Sequence, residues 1–434
     1  MGLTSLYGAD EPEVVPEAPP PATEASVKVQ GLVSAWDSSK EQTTETAQKL
    51  LQDLVAVGAA GIPGLIQALE SSVAKQSLAT GTILVALMRL KAKPATPVLA
   101  KLFLAAEDRG TKRNILTALK AIGTAEAIPA LMKAFNAPLP DRNNPKISRD
   151  ELGALSDLAE QTSLTLRKLG ETSEGAALLV QELSKNFFTA AEPLKLRYIL
   201  ILQEIQYRVA EQFLLNLLSD PSATIRVAAL AGLGFNGTKS AALVILPQLR
   251  SPDIRVKAAA ATALGRLKFV RAIPDLLPLL SAKEPEVSSG ALYALRNMTG
   301  MQFTPDPERW QVWYDDEKAA SQARVAVLLQ QIKSGPPELA PVFVEQLADC
   351  LLQQDKLSAE LQGLVQHTNF RVRAAACNVL AQIGDLPALQ LLVQRLLDPA
   401  LEVAAAAYRG LKYATGLQLQ MDYESWRQAL DKRG

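Results

Sequence analysis

Hydrophobic residues between positions 194 and 300 repeat one pattern four times, at a spacing of 31 residues. Each copy starts at an apolar residue, and mostly small or apolar residues follow it at offsets of 4, 7, 8 and 11. These offsets lie on one face of an α-helix, so each copy predicts an amphipathic helix. The starting residues are Leu194, Ile225, Val256 and Val287, and the same frame returns at Val372 and Val403. A period of this length predicts an all-α solenoid, in which each repeat packs on its neighbours.

The repeat is also present, in a degenerate form, from residue 26 to residue 187. Three Ile-Pro or Thr-Pro pairs in this part resemble the regular Ile273-Pro274, namely Ile62-Pro63, Thr96-Pro97 and Ile128-Pro129. Each pair predicts the start of a helix, because the fixed φ of proline suits the first turn. The proline- and asparagine-rich segment 136–150 interrupts the period and predicts an exposed loop. Whether that loop binds a partner or is a tolerated insertion stays open.

The first 25 residues predict a disordered tail, since prolines, acids and alanines cannot bury enough apolar surface to order it. The segment Leu6-Tyr7-Gly8-Ala9 is similar to the end of a cleaved export signal, which favours an exported protein over a cytoplasmic one. No apolar run is long enough to span a bilayer, so we expect no membrane span.

Three turns between helices carry an Asp or Ser followed by proline, placed five residues before the next starting position. They are Ser219-Asp220-Pro221, Arg250-Ser251-Pro252 and Leu397-Asp398-Pro399. We expect the Asp or Ser to cap the next helix and the proline to begin it. His367, the only histidine, holds the same turn position. A catalytic or metal-binding role would need partners of matching type, so we interpret it as a turn residue.

Basic residues recur one position after the apolar starting residue, at Arg226, Lys257 and Arg373. They predict either a basic ladder that contacts a partner or side chains that pair with the turn acids or are solvated. Both interpretations stay open at this point.

A second duplication follows Leu295 and returns after Leu411. Six residue types match in register at a displacement of 116: Thr299/Thr415, Gly300/Gly416, Gln302/Gln418, Asp306/Asp422, Glu308/Glu424 and Trp310/Trp426. The glycine predicts a helix end, the Asp caps a new helix, and the tryptophan is expected to cover the open apolar end of the last repeat. We also expect a bend in the chain at Trp310. An aromatic binding platform of Trp310, Trp313 and Tyr314, or of Trp426 with Tyr423, is the alternative.

These patterns divide the chain into a tail (1–25), degenerate repeats (26–187), a regular module closed by a tryptophan (188–316) and a second such module (317–434). Apolar residues make up 48% of the chain and aromatic residues only 5%, so Ala and Leu must form the core. The 45 basic and 45 acidic residues give no net charge, which disfavours nucleic acid as a partner. Cys350 and Cys377 lie in apolar runs and are expected to be buried free thiols.

The segments Ile225–Gly234 and Asp253–Gly265 resemble HEAT repeats, in particular the short bacterial HEAT-like repeats also found in phycobilin lyases. The ending Leu295–Trp313 is similar to the closing segment of often exported bacterial HEAT-repeat proteins. The resemblance is strong over 190–434 and weaker over 27–187. It implies a curved superhelix of helical pairs that scaffolds or docks other proteins, although the repeat motif specifies fold rather than activity.

We therefore expect a non-catalytic scaffold or docking subunit that binds another protein, or a larger assembly, on its concave surface. Candidate contact residues are Arg226, Lys257, Arg373, Trp313 and Tyr314, and we expect no catalytic group, cofactor, metal or small-molecule ligand. The first alternative is an enzyme or chaperone of the bilin-lyase kind that binds a tetrapyrrole or its acceptor protein. The second is a nucleic-acid-binding protein with HEAT-like repeats. An iron-dependent HEAT-repeat hydroxylase is excluded, because such enzymes bind iron through paired His-Glu motifs and this chain has only one histidine.

Overall fold

The computed structural model describes residues 24–137, 148–205, 208–417 and 419–431. Every regular element in these ranges is a helix, which confirms the expected all-α fold. The chain forms two compact units, residues 1–130 with 147–158, and residues 131–146 with 159–434. This division falls inside the segment 26–187 that the sequence pattern groups together. The centre of the predicted loop 136–150 lies outside the described residues.

The first unit is a stack of short helices in which alternate helices pack side by side. Its helices are α1 (Glu24–Asp37), α2 (Thr44–Ala56), α3 (Ile62–Ala74), α4 (Ala79–Arg89), α5 (Thr96–Ala105) and α6 (Arg109–Ile122), while α7 (Ile128–Phe135) and α8 (Arg149–Leu169) cross the division. Prolines occupy the second position of α3, α5 and α7, which confirms the predicted helix starts. In the described part, no single helix is long and apolar enough to cross a membrane, and only α2 together with Ala59–Ala74, bent by 103°, reaches that length and composition.

The second unit contains the regular repeats. Its helices are α9 (Ser173–Phe187), α10 (Glu192–Leu202), α11 (Arg208–Asn216), α12 (Ala223–Asn236), α13 (Lys239–Ile245), α14 (Ile254–Arg266), α15 (Ile273–Leu276), α16 (Pro285–Thr299), α17 (Pro307–Ser334), α18 (Ala340–Gln346), α19 (Gln354–Leu364), α20 (Phe370–Ile383), α21 (Leu386–Arg395), α22 (Leu401–Thr415) and α23 (Tyr423–Asp431). Five of the six starting residues of the repeat are at most 1% exposed, and Leu194 is half-buried. Both cysteines are buried free thiols, as predicted, and burial raises the pKa of Cys377 to about 12.

Five helices pack closely through alanine and glycine residues, and we call them the alanine helices: α12, α14 and α16 in the first module, α20 and α22 in the second. A Cβ atom added to Gly265 of α14 would lie 2.5 Å from Ala294 Cα of α16. One added to Gly234 of α12 would lie 2.9 Å from Ala263 Cα of α14. Real Cβ atoms do not approach backbone this closely, so the helices can pack at this distance only because these positions are glycine.

The turns before four of these helices, α12, α14, α20 and α22, share one backbone hydrogen bond that a turn side chain accepts. The N–H two residues further on donates to the side chain of Asp220 (2.8 Å), Ser251 (3.3 Å), His367 (3.0 Å) or Asp398 (3.0 Å). His367 accepts through Nδ1, which confirms its role as a turn residue. The expected capping was wrong in its register: Ser222 and Asp253 cap α12 and α14, and each follows the proline of its turn. Before α22 the cap position is Ala400, which follows Pro399 and makes no side-chain cap. The side chains of Asp220, Ser251 and Asp398 instead accept their hydrogen bonds inside the turn, before the helix begins.

The two tryptophan closures have the same geometry. Gly300 and Gly416 end their helices at φ values of 77° and 68°, a left-handed conformation that glycine adopts without strain. The indole N–H groups of Trp310 and Trp426 donate to carbonyls six residues earlier, at 3.0 and 2.8 Å. Both indoles are fully buried, as the closing role predicts and an exposed platform does not. Gln418 of the matching pattern lies outside the described residues.

The chain does not break at the first closure. The helix that carries Trp310, α17, runs unbroken for 28 residues and packs on Leu277–Ser281 of the first module and on α18 of the second. The predicted boundary between residues 316 and 317 therefore lies inside one helix. A bend between superhelical segments at Trp310 stays a prediction.

The second module also contacts the first one far from α17. Lys239 Nζ at the start of α13 donates to the Gln382 carbonyl at 2.9 Å, at the C-terminal end of α20. A lysine is favourable there because the helix end carries partial negative charge, while burial lowers the pKa of Lys239. Arg271 pairs with Asp385 at 3.5 Å. We call these two pairs the module contact. They join residues of the first module directly to residues of the second that are more than 100 positions away.

We expect Trp426→Ala to lower the free energy of unfolding by about 3 kcal/mol, because it opens a cavity in a closed core and removes the bond to the Gln420 carbonyl. Trp426→Phe, which keeps most of the apolar ring, should cost less. Thermal unfolding and hydrogen exchange of α21 and α22 measure the effect. An unchanged melting temperature in Trp426→Ala would contradict the closing role.

Candidate protein-binding surface

The predicted basic ladder is built into the turns. Arg226 donates to the carbonyls of Asp220 and Pro221, at 2.6 and 3.1 Å. Arg373, in the equivalent position, donates to the carbonyls of His367 and Thr368, at 2.8 and 3.1 Å. Both guanidinium groups thus close the turn that precedes their own helix, which leaves fewer donors for a partner.

Arg373 also forms the most buried ion pair of the described residues. Its Nε and Nη2 donate to the two carboxylate oxygens of Asp398 at 2.8 and 2.7 Å, and the Asp398 side chain is only 1% exposed. These bonds, together with the N–H of Ala400, hold the pKa of Asp398 below its usual value. This pairing with a turn acid is the structural alternative that the sequence left open for Arg373. Arg226 has Ser251 at the position equivalent to Asp398 and forms no such pair.

In the described residues, neither Lys257, the third ladder residue, nor the two aromatic candidates closes a turn in this way. Lys257 is half-buried on α14, and no acidic side chain of the described residues pairs with it. Trp313 is half-buried against Trp310, with ring centroids 5.9 Å apart in an edge arrangement. Tyr314 is half-buried, with Lys318 Nζ 5.6 Å from its ring centre. No hydrogen bond or ion pair of the described residues joins these three to Arg226 or Arg373, and a partner contact for Lys257, Trp313 or Tyr314 stays a prediction.

A groove that the sequence interpretation missed lies between the alanine helices of the second module. Its floor is Ala381 of α20 and Gly410 of α22, and a Cβ on Gly410 would lie 3.0 Å from Ala381 Cβ. Asn378 and Gln382 form one wall, and Arg409 and Tyr413 form the other. Each wall pair is four residues apart, so both members project from the same side of their helix. The groove has a volume of about 410 Å³. We call it the second-module groove.

The polar groups of this groove are free. Within the described residues, the side chains of Asn378, Gln382, Arg409 and Tyr413 have no hydrogen-bond or ion-pair partner. Tyr413 is 65% exposed. A cluster of one guanidinium, two amides and one phenol on a close-packed floor offers donors and acceptors in fixed places.

In the first module, the positions 116 residues before the wall residues lie on α14 and α16 and are Thr262, Arg266, Tyr293 and Asn297. Arg296 donates twice to the Phe303 carbonyl, at 3.0 and 2.7 Å, and Asn297 donates to the Gly265 carbonyl at 2.7 Å. Gln302 donates to the Gly300 carbonyl at 3.4 Å. In the second module, the hydroxyl of Tyr408 takes over the bracing, donating to the Leu419 carbonyl at 2.9 Å. Of the counterparts of the wall residues, Asn297 is bonded internally where Tyr413 is free. Tyr293 stands at the position of Arg409, so the first module has no basic group there.

The comparisons with known proteins agree with this fold. A family model described as HEAT repeats matches residues 242–308 and 325–412, and one described as PBS lyase HEAT-like repeat matches residues 111–137. The chain therefore carries HEAT repeats. No curated protein matches it in sequence.

Solved structures resemble the chain at low sequence identity. An engineered protein is 18% identical, with 89% of this chain and 98% of that one covered and a TM-score of 0.29. Human deoxyhypusine hydroxylase in complex with glycerol is 18% identical, at 67% and 98% coverage and a TM-score of 0.26. The CpcE–CpcF complex of phycocyanin lyase from Nostoc sp. PCC7120 is 17% identical, at 68% and 97% coverage and a TM-score of 0.28. At these TM-scores the similarities carry no functional information.

The buried pair of the HEAT repeats gives a test of the ladder. We expect Arg373→Ala to lower the free energy of unfolding by about 3 kcal/mol, because it leaves the Asp398 carboxylate buried without its main partner. Arg226→Ala, the matched control, loses only two bonds to turn carbonyls and should cost about 1 kcal/mol. If thermal unfolding gave both variants the same loss of unfolding free energy, the ion pair with Asp398 would contribute nothing to stability.

The same pair makes stability depend on pH in a defined direction. The pKa of Asp398 is lower in the folded chain than in the unfolded one, so the folded state binds a proton less readily. Its contribution is fully present above the unfolded value of about 3.9 and is lost as the pH falls through the folded value. Between neutral pH and about pH 3, Asp398→Asn should therefore lose less stability than the wild type. Parallel pH profiles would contradict this assignment.

Proposed function

We propose that the chain is a non-catalytic scaffold whose second HEAT module binds a protein partner on its alanine helices. The observation that supports this most directly is the second-module groove. It places four free polar side chains over a floor of small residues, on helices rather than on loops. Such a preorganised surface binds without first ordering its own groups.

The rigidity of this surface has two sources. The floor residues Ala381 and Gly410 hold α20 against α22, and the module contact holds the Gln382 carbonyl through Lys239. A binding face that is fixed from below and from the side suits a docking subunit better than a surface that must rearrange.

A second candidate is a protein of the bilin-lyase kind. The observation that favours it is the match of residues 111–137 to the PBS lyase HEAT-like repeat. That match covers part of α6 and α7 and lies outside the second-module groove. A bound tetrapyrrole absorbs visible light, so the absorbance spectrum of the purified chain separates the two functions.

The test places a photo-crosslinking amino acid at Tyr413 of the full chain, produced in its source cell. Crosslinked species are identified by mass spectrometry, and the absorbance spectrum of the purified chain is recorded. The matched control carries the same amino acid at Val327, which is 54% exposed on α17 and away from the groove. We expect a defined protein adduct from position 413 that position 327 does not give. A bound chromophore or nucleic acid, or no protein adduct at position 413, would overturn the proposal.

A further inference from the structure

The wall residues of the second-module groove are matched in spacing to an extended peptide. Residues four apart on a helix are separated by about 6 Å along its axis. Alternate residues of an extended chain are separated by about 6.6 Å, and their side chains point the same way. An extended segment that runs along α20 and α22 would therefore meet Asn378 and then Gln382 on one side, and Arg409 and then Tyr413 on the other.

The chemistry of the two walls differs. An amide side chain donates and accepts at once, as a peptide group does, so Asn378 and Gln382 can pair with a peptide backbone of any sequence. Arg409 is exposed and presents a planar fork of donors that fits a carboxylate. Tyr413 offers an exposed ring against which a side chain packs.

The charge of the groove selects among partners. Arg409 is the one charged residue that lines it, and no carboxylate lines it. Asp385, the acid that follows α20, pairs instead with Arg271 in the module contact. The groove is therefore complementary to a negatively charged segment.

We propose that the second-module groove binds an extended peptide segment of a partner protein, with the backbone on Asn378 and Gln382 and an Asp or Glu carboxylate on Arg409. This inference rests on the proposed scaffold function and names the ligand of that scaffold. The first module does not share the site, because Tyr293 stands at the position of Arg409 and Asn297 is bonded to the Gly265 carbonyl.

The test uses a phage-displayed library of random dodecapeptides, selected on the immobilised full chain and, in parallel, on Arg409→Glu. We expect peptides with a fixed Asp or Glu position to be enriched on the wild type and lost on the variant. The strongest peptide is then synthesised, and its affinity is measured by fluorescence anisotropy. Arg409→Ala should weaken binding about tenfold, as should Asn378→Ala combined with Gln382→Ala, while Arg409→Lys should recover part of the loss.

Arg371→Ala is the control, since it removes an exposed positive charge from α20, the other wall helix, outside the groove. It should leave affinity unchanged, and the groove variants should melt with the wild type because their side chains make no internal hydrogen bond. Enriched peptides without an acidic preference, or binding insensitive to the groove variants, would overturn this inference and leave the scaffold function standing. Protein crosslinking at Tyr413 without any enriched peptide would overturn the extended-peptide ligand alone. Failure of both experiments would overturn the scaffold function as well.

Discussion

Close contact between neighbouring alanine helices is the constraint on which the second unit depends. Gly234 and Gly265 face Ala263 and Ala294 at distances that no side chain would permit. Because the axes are so close, the polar residues above them stand as walls over a floor of small residues. The turns are then closed from within, by Arg226 and Arg373, and the modules end on buried tryptophans.

The two modules reach the same closure with different side chains. In the first, Arg296 braces the chain before the tryptophan helix. In the second, Tyr408 performs that task. The candidate site differs from its counterpart at the wall positions themselves, where Arg409 and Tyr413 replace Tyr293 and Asn297.

Much of the fold was predictable because its signals are local or periodic. The period of 31 residues identified the buried faces, proline marked the starts of α3, α5 and α7, and the repeated Gly, Asp and Trp located both closures. The capping register was missed because side chains such as Asp220 hydrogen bond inside the turn before the helix begins. The module contact joins residues 143 positions apart, Lys239 and Gln382, and leaves no periodic trace.

The groove escaped the sequence interpretation for a related reason. Asn378, Gln382, Arg409 and Tyr413 occupy the polar offsets of the repeat, 6 and 10 residues after Val372 and Val403. A search for buried positions passes over such residues. Their significance depends on the hydrogen bonds that the first module makes and the second does not.

The most direct test of the close helix packing compares Gly265→Ala with Gly363→Ala, a helical glycine with nothing within 4 Å of an added Cβ. We predict that Gly265→Ala lowers the melting temperature because it forces α14 and α16 apart, whereas Gly363→Ala raises it slightly through helix propensity. Equal, stabilising effects of both substitutions would show that the alanine helices are not held by close contact.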